Sequence, residues 1–179
     1  MTHGFTIEEF IASLKDLDRE LQGEHIIIRA VGGFALAWHH IRENGLTIDI
    51  DTVTDDYPDS VIAAIERVAV KRGLDKWWLN NDVAADDAEF LNESLALKWE
   101  IANLGFKNIV LYVADRESLL SLKLAALEDR WLSGRKHDLD DAIRLLIALG
   151  YTKNSFQQKM AYISLDQPHA YKAICSAVW

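Results

Sequence analysis

The first predicted helix opens with a capping box and is followed by a strand. Thr6 stands three residues before Glu9, and apolar residues then recur at helical intervals until Gly23 ends the pattern. Residues 25–31 form a β-branched, apolar run that is typical of a buried strand. A helix is predicted over residues 34–42, because apolar positions again recur at helical spacing there.

A second pattern alternates between polar and apolar residues over 47–53, which predicts a strand with two different faces. One face carries Ile48, Ile50 and Thr52, and the other carries Thr47, Asp49, Asp51 and Val53. Residues 59–72 then have a helical pattern that ends at Gly73. Residues 95–101 are a further strand candidate, and the apolar run over 108–113 predicts another strand.

The remainder of the chain has only helical patterns. Helices are predicted over 117–131 and 137–149, and one or two more follow, the last beginning near Pro168. We therefore predict an α+β fold, in which a mixed sheet flanked by helices spans 1–115 and a helical region over 116–179 packs on it.

Charge and composition narrow the functional classes. The net charge of −9 disfavours extensive, sequence-independent binding to a phosphate backbone. A single cysteine and the absence of CxxC pairs fit a reducing compartment without structural zinc. The N-terminus lacks a signal-peptide pattern, and no apolar run approaches the roughly 20 residues of a membrane helix. We expect a cytoplasmic protein without a membrane partner.

Asp49 and Asp51 are the leading candidates for chemistry. Two carboxylates at i and i+2 of a strand project from the same face, with their Cα atoms about 7 Å apart. Their oxygens can therefore converge on divalent ions. The alternative is a solvated strand face, although aspartate is depleted in strands. Gly32 and Gly33, between a strand and a helix, can cradle phosphates, or they form only a tight turn.

Charged residues on the predicted C-terminal helices are further candidates. Lys123 and Arg130 lie two helical turns apart and can reach phosphates, or they form a solvated cationic stripe. Asp138 and Asp141 stand at the start of the following helix, where acidic residues also favour the helix dipole without any further role.

The order of these motifs resembles the abortive-infection-type nucleotidyltransferases of the polymerase-β-like superfamily, which include toxins of type IV toxin–antitoxin pairs. The resemblance covers residues 26–53 and 108–149. It implies that Asp49 and Asp51 bind Mg²⁺ or Mn²⁺. It also implies contacts with the phosphates of a nucleoside triphosphate substrate for Gly32, Gly33 and Lys123, and a place for Asp138 and Asp141 on a helix that faces the site.

Three positions depart from the family pattern. Phe34 follows the glycines where many members have Ser, His137 precedes the second acidic motif in place of Arg, and Gly45 occupies the usual place of an Arg, the nearest being Arg42. A third metal carboxylate is assigned to Glu100, with Asp82 as the other candidate.

The expected function is Mg²⁺-dependent transfer of a nucleoside monophosphate to a hydroxyl acceptor on RNA, a protein or a small molecule. The resemblance leaves open a cognate antitoxin and a homodimer as partners. The alternative is a catalytically inactive nucleotide-binding or protein-interaction module on the same fold.

Overall fold

The computed structural model describes residues 4–42, 45–54, 56–81, 83, 96–130, 137–163 and 167–179. Its strands are β1 (Ile26–Ala30), β2 (Ile50–Asp51), β3 (Leu79–Asn80), β4 (Trp99–Ile101) and β5 (Ile109–Ala114). Its helices are α1 (Ile7–Glu20), α2 (Gly32–Trp38), α3 (Asp59–Arg72), α4 (Arg116–Asp129), α5 (His137–Ala148), α6 (Lys153–Ile163) and α7 (Pro168–Val178). The predicted α+β class is confirmed. The chain divides into two compact units, residues 1–115 and 116–179.

The main sheet of the first unit has the strand order β1-β5-β4. β1 runs parallel to β5, with Ile26 opposite Ile109, and β4 runs antiparallel to β5, with Glu100 opposite Val113. Burial alternates along β1, where Ile28 is fully buried and Ile27 is 45% exposed. The strand predicted as wholly buried therefore contributes only one face to the core.

The smaller sheet pairs β2 with β3 in parallel, Ile50 lying opposite Leu79. The seven-residue strand predicted over 47–53 is wrong in its extent, because only Ile50 and Asp51 pair with β3. Thr47 instead forms an antiparallel bridge with Phe5, whose N–H donates to the Thr47 carbonyl at 2.7 Å. Asp49 consequently lies directly before β2 rather than within it.

An aromatic cluster fills the core of the first unit. The rings of Phe10 and Trp78 stack with their centroids 6.3 Å apart, and Phe34 meets Phe10 edge to face. The indole N–H of Trp78 donates to the Ile65 carbonyl at 3.1 Å, so this fully buried ring leaves no polar atom unsatisfied. The cluster joins α1, α2 and α3.

Two aspartates on α1 connect this helix to distant parts of the first unit. Asp16 is 1% exposed and forms ion pairs with Lys71 and Arg72 of α3, at 3.2 and 2.7 Å, as well as with Arg19. The Asp18 carboxylate accepts backbone N–H bonds from residues 107, 108 and 109, at the start of β5. These contacts fix α1 against α3 and against the central strand.

Helices α4, α5 and α7 pack together in the second unit. The Glu128 carboxylate accepts bonds from the Ala170 N–H at 2.8 Å and from the His169 ring at 2.7 Å, which satisfies the start of α7. Burial alone would raise the pKa of Glu128, but these hydrogen bonds lower it further than burial raises it. No helix in the described residues is long and apolar enough to cross a membrane.

Candidate active site

The end of β1 lies beside the end of β2. Ala30 forms an antiparallel bridge with Thr52, the Val31 N–H donates to the Asp51 carbonyl at 2.8 Å, and the Val53 N–H donates to the Arg29 carbonyl at 2.9 Å. This ladder, which the sequence patterns did not predict, brings Asp51 next to the glycines that follow β1.

Gly32 adopts a left-handed conformation with φ of +60°. A Cβ atom at this position would lie 2.1 Å from Oδ2 of Asp51 and 3.0 Å from its Cγ. Glycine is therefore required twice, once for the positive φ and once for the space that the Asp51 carboxylate occupies. The two motifs that the sequence predicts as a phosphate cradle and a metal pair are in direct contact here.

Gly33 is also crowded by polar side chains. A Cβ atom there would lie 2.3 Å from Oγ1 of Thr47 and 3.1 Å from Nη1 of Arg42. The Thr47 hydroxyl is buried and donates to the backbone carbonyl of Asp49 at 3.3 Å, which fixes the chain just before β2. Arg42 and Thr47 belong to the site geometrically, although neither was among the predicted site residues.

The predicted alternation is found over residues 49–52, but it is wrong at Ile48, which was placed on the face of Ile50 and is exposed. Asp49 and Asp51 are half-buried, whereas Ile50 and Thr52 are fully buried. Mg²⁺ is usually bound by one or two carboxylates together with waters and substrate phosphates, so the donor set of this pair fits that ion. Within the described ranges, no group of three or more His, Cys, Asp or Glu residues is arranged to hold a metal.

The two candidates for a third carboxylate have different positions. Glu100 is exposed on β4, and β5 separates this strand from β1. Neighbouring strands lie about 4.8 Å apart. Glu100 is therefore two strand spacings from β1, the strand that leads into the glycine turn formed by Gly32 and Gly33. Asp82 lies outside the described residues, as do Trp131, where a helix was predicted to end, and Leu95, where a strand was predicted to begin.

The predicted charged residues of the second unit form a compact cluster. Nζ of Lys123, on α4, lies 2.8 Å from Oδ1 of Asp138 and 3.0 Å from Oδ2 of Asp141, both on α5. Arg130, half-exposed, approaches Oδ2 of Asp138 at 3.3 Å. The i, i+3 spacing places both aspartates on one helix face. Lys123 is only 15% exposed, so the solvated cationic stripe considered as an alternative is wrong for this residue.

A second polar cluster on α4 was not anticipated. The Tyr151 hydroxyl donates to Glu117 at 3.0 Å, and the Lys159 ammonium lies 2.8 Å from the same carboxylate. Burial and the hydrogen bond to Glu117 raise the pKa of Tyr151 to about 12. This cluster joins the start of α4 to the middle of α6 and to the residue two positions before α6, and its members are too far apart in the sequence for a spacing rule to connect them.

No protein-family model, curated protein or solved structure matches the chain. The resemblance to abortive-infection-type nucleotidyltransferases thus rests on the motifs themselves. The geometry adds one relation that the motifs alone did not contain, which is the contact between Asp51 and Gly32.

Proposed function

We propose that the protein is a Mg²⁺-dependent nucleotidyltransferase, which transfers a nucleoside monophosphate from a nucleoside triphosphate to a hydroxyl acceptor. The observation that carries this proposal is the position of the Asp51 carboxylate in the space beside Gly32. A glycine turn for phosphates and a carboxylate pair for a cation are useful to phosphoryl transfer only when they are adjacent, as they are here.

Each part of this site has a role that follows from its chemistry. The absence of side chains at Gly32 and Gly33 lets polar side chains lie against this backbone, and phosphate oxygens would bind beside them. Asp49 and Asp51 would hold Mg²⁺ or Mn²⁺, which when bound neutralises triphosphate charge and favours attack at the α-phosphorus. The acceptor oxygen bonds to that phosphorus as the bond to pyrophosphate breaks, and the hydroxyl proton passes to water. The protein contributes mainly by positioning the reactants.

Lys123 is proposed as a phosphate-binding lysine of the second unit. A lysine ammonium has three N–H donors, and two of them point to Asp138 and Asp141. A phosphate oxygen would take the third, while the two carboxylates hold the ammonium in a defined orientation. Arg130 is half-exposed and is proposed as a second cation for the same phosphates.

The proposed biological setting is a toxin–antitoxin pair, with a cognate antitoxin as a protein partner. The acceptor hydroxyl belongs to RNA, a protein or a small molecule. The net charge of −9 favours a compact acceptor over a long RNA, because a long phosphate backbone would be repelled.

An inactive nucleotide-binding or protein-interaction module is the second candidate function. The pairing of Lys123 and Arg130 with Asp138 and Asp141 favours it, since two positive and two negative charges balance and hold α4 against α5 without any ligand. Phe34, where many members of the family have Ser, points the same way.

Calorimetric titration tests the nucleotide site. ATP, CTP, GTP and UTP are titrated with Mg²⁺, Mn²⁺ or EDTA into the wild type and into Asp49→Ala/Asp51→Ala. We expect metal-dependent binding of at least one nucleotide, weakened roughly 100-fold or more in the double variant, because two charge-assisted contacts are lost. Asp59→Ala/Glu66→Ala removes the same charge from exposed positions on α3 and should bind normally.

A labelling experiment separates the enzyme from the module. Label from an α-phosphate, but not from a γ-phosphate, should become fixed to RNA, protein or small molecules of a cell extract. Nucleotide binding without any label transfer would favour the module. If the wild type binds none of the four nucleotides, the nucleotidyltransferase and the nucleotide-binding module are both excluded, and only the protein-interaction module remains.

A further inference from the structure

One face of the main sheet in the first unit is exposed and largely apolar. Side chains of residues that lie directly opposite each other on paired strands leave the same side of a sheet. Tyr112 of β5 lies in this way between Arg29 of β1 and Ile101 of β4. Together with the neighbours two positions along each strand, the open face consists of Ile27, Arg29, Trp99, Ile101, Val110 and Tyr112.

The apolar side chains of the open face are well exposed to solvent. Ile101 is 66% exposed, Ile27 is 45% exposed and Val110 is 44% exposed, while Trp99 and Tyr112 are half-buried. Single exposed apolar residues are ordinary on protein surfaces, but these five lie side by side on three neighbouring strands. A contiguous apolar patch of this kind marks a surface that binds a partner.

Arg29 gives the open face its charge. It is the one charged residue of the six, and its guanidinium lies over the Tyr112 ring, 6.0 Å from the ring centroid. Within the described ranges, no carboxylate forms an ion pair with it. The chain as a whole has a net charge of −9, so this cation in an apolar surface is a local feature, and it favours an acidic partner.

The size of the open face limits what can cover it. Neighbouring strands lie about 4.8 Å apart, so three strands span roughly 10 Å, which is about the width of one α-helix. A stable dimer uses roughly 20–30 residues from each copy. The open face is too small for that, and the net charge of −9 also opposes pairing with a second copy of this chain. A single acidic helix meets both conditions.

We propose that the open face is the docking surface for one amphipathic helix of a partner protein. The helix lays its apolar side on Ile27, Val110 and Ile101 and directs a carboxylate at Arg29. Such helices are recognised through apolar anchors at positions i, i+3, i+4 and i+7. The inference is independent of the proposed function, because neither the glycine turn nor Lys123 takes part in it.

The test uses two synthetic peptides of about 14 residues, which as helices are about 21 Å long and cover the strands. Both carry leucines at alternating spacings of three and four residues and glutamines elsewhere. Two positions that flank the leucines are glutamate in one peptide and lysine in the other. Fluorescence anisotropy measures binding, and circular dichroism measures helix formation. The wild type should bind the glutamate peptide roughly 10-fold more tightly than the lysine peptide.

Variants of the open face locate the binding. Val110→Ser/Ile101→Ser removes exposed apolar groups and should weaken the glutamate peptide at least ~10-fold. Val70→Ser is the matched control, because Val70 is 86% exposed on α3 of the same unit, and it should bind as the wild type does. Arg29→Glu should reverse the preference between the peptides. If its circular dichroism shows that it does not fold, Arg29→Gln should abolish the preference instead.

The opposite results overturn the inference in distinguishable ways. Equal affinity for the two peptides excludes selection of an acidic partner, and binding that Val110→Ser/Ile101→Ser leaves unchanged places the site elsewhere. Failure of the wild type to bind either peptide removes the helix as the occupant. Self-association in sedimentation, or binding of a single-stranded oligonucleotide, that is lost in the same double variant assigns the surface to a second copy or to nucleic acid. The nucleotide titrations are separate, so this inference and the proposed function can fail independently.

Discussion

The glycine turn of the first unit and the Lys123 cluster of the second unit are held together by different physical effects. In the Lys123 cluster, opposite charges lie within 3.0 Å of each other at largely buried positions. At the glycine turn, side chains of Asp51, Thr47 and Arg42 fill the space that a Cβ would take. The Lys123 cluster depends on charge balance. The glycine turn depends on the absence of side chains at Gly32 and Gly33. Different substitutions should therefore damage them.

The largest loss of stability is expected when charge is removed from the Lys123 cluster. Lys123→Met leaves two buried carboxylates without their central cation and should lower the free energy of unfolding by about 3–5 kcal/mol. Urea unfolding measures this loss. The triple variant Lys123→Met/Asp138→Asn/Asp141→Asn should recover part of it. A loss below about 1 kcal/mol in Lys123→Met would mean that charge balance does not hold this region.

A smaller loss is expected when volume is added at the glycine turn. Gly32→Ala combines an unfavourable φ with a clash against Asp51 and should cost about 2–3 kcal/mol. Gly73→Ala is a matched control, because Gly73 also has a positive φ, of 67°, but no atom lies within 4 Å of the added Cβ. It should cost only about 1 kcal/mol. Equal losses in the two variants would remove crowding as the explanation.

The smallest effect is expected for Asp16, whose cationic partners are partly exposed. Burial alone would raise the pKa of Asp16, but hydrogen bonds from Arg72, Arg19 and Lys71 outweigh it and lower this pKa to about 2. The carboxylate thus stabilises the fold above pH 3.8, its ordinary pKa, and this contribution is lost as the pH falls towards 2.

Asp16→Asn should therefore be about 1–2 kcal/mol less stable than the wild type at pH 7, with the exposed partners reducing the effect. The difference should shrink below pH 4 and disappear near pH 2. Urea unfolding of both proteins across this pH range provides the measurement. A constant difference would show that the asparagine acts through packing instead of charge.

The sequence predicted the elements that carry their own local signals. The helix over 59–72 is found at those bounds, and the strand predicted over 25–31 is found as Ile26–Ala30. Apolar spacing and a terminal glycine are sufficient for such elements. The strand over 47–53 was overestimated because its alternating pattern is local, whereas its length depends on a partner, β3, that pairs with two residues.

The sequence predicted which residues belong to the candidate site, but it did not predict which of them touch. The glycines, the acidic pair and the charged helices were recognised as candidates from their order. The contact between Asp51 and Gly32 depends on the bridge between β1 and β2. The approach of Arg42 to Gly33 depends on the chain reversal after α2, where the Ile41 N–H donates to the Leu36 carbonyl. The positive φ of His40 contributes to this reversal, and residues other than glycine adopt that conformation too rarely for the sequence to predict it.

The pairing of β1 with β5 also determines when the sheet can form during synthesis and where the chain can be truncated. β1 is complete by residue 30, but its parallel neighbour begins at Ile109, so the sheet can form only after most of the first unit has left the ribosome. Until then, the apolar edge of β1 needs protection from other chains. Fragments that end before residue 114 lack the central strand, and deletions for expression should therefore begin after it.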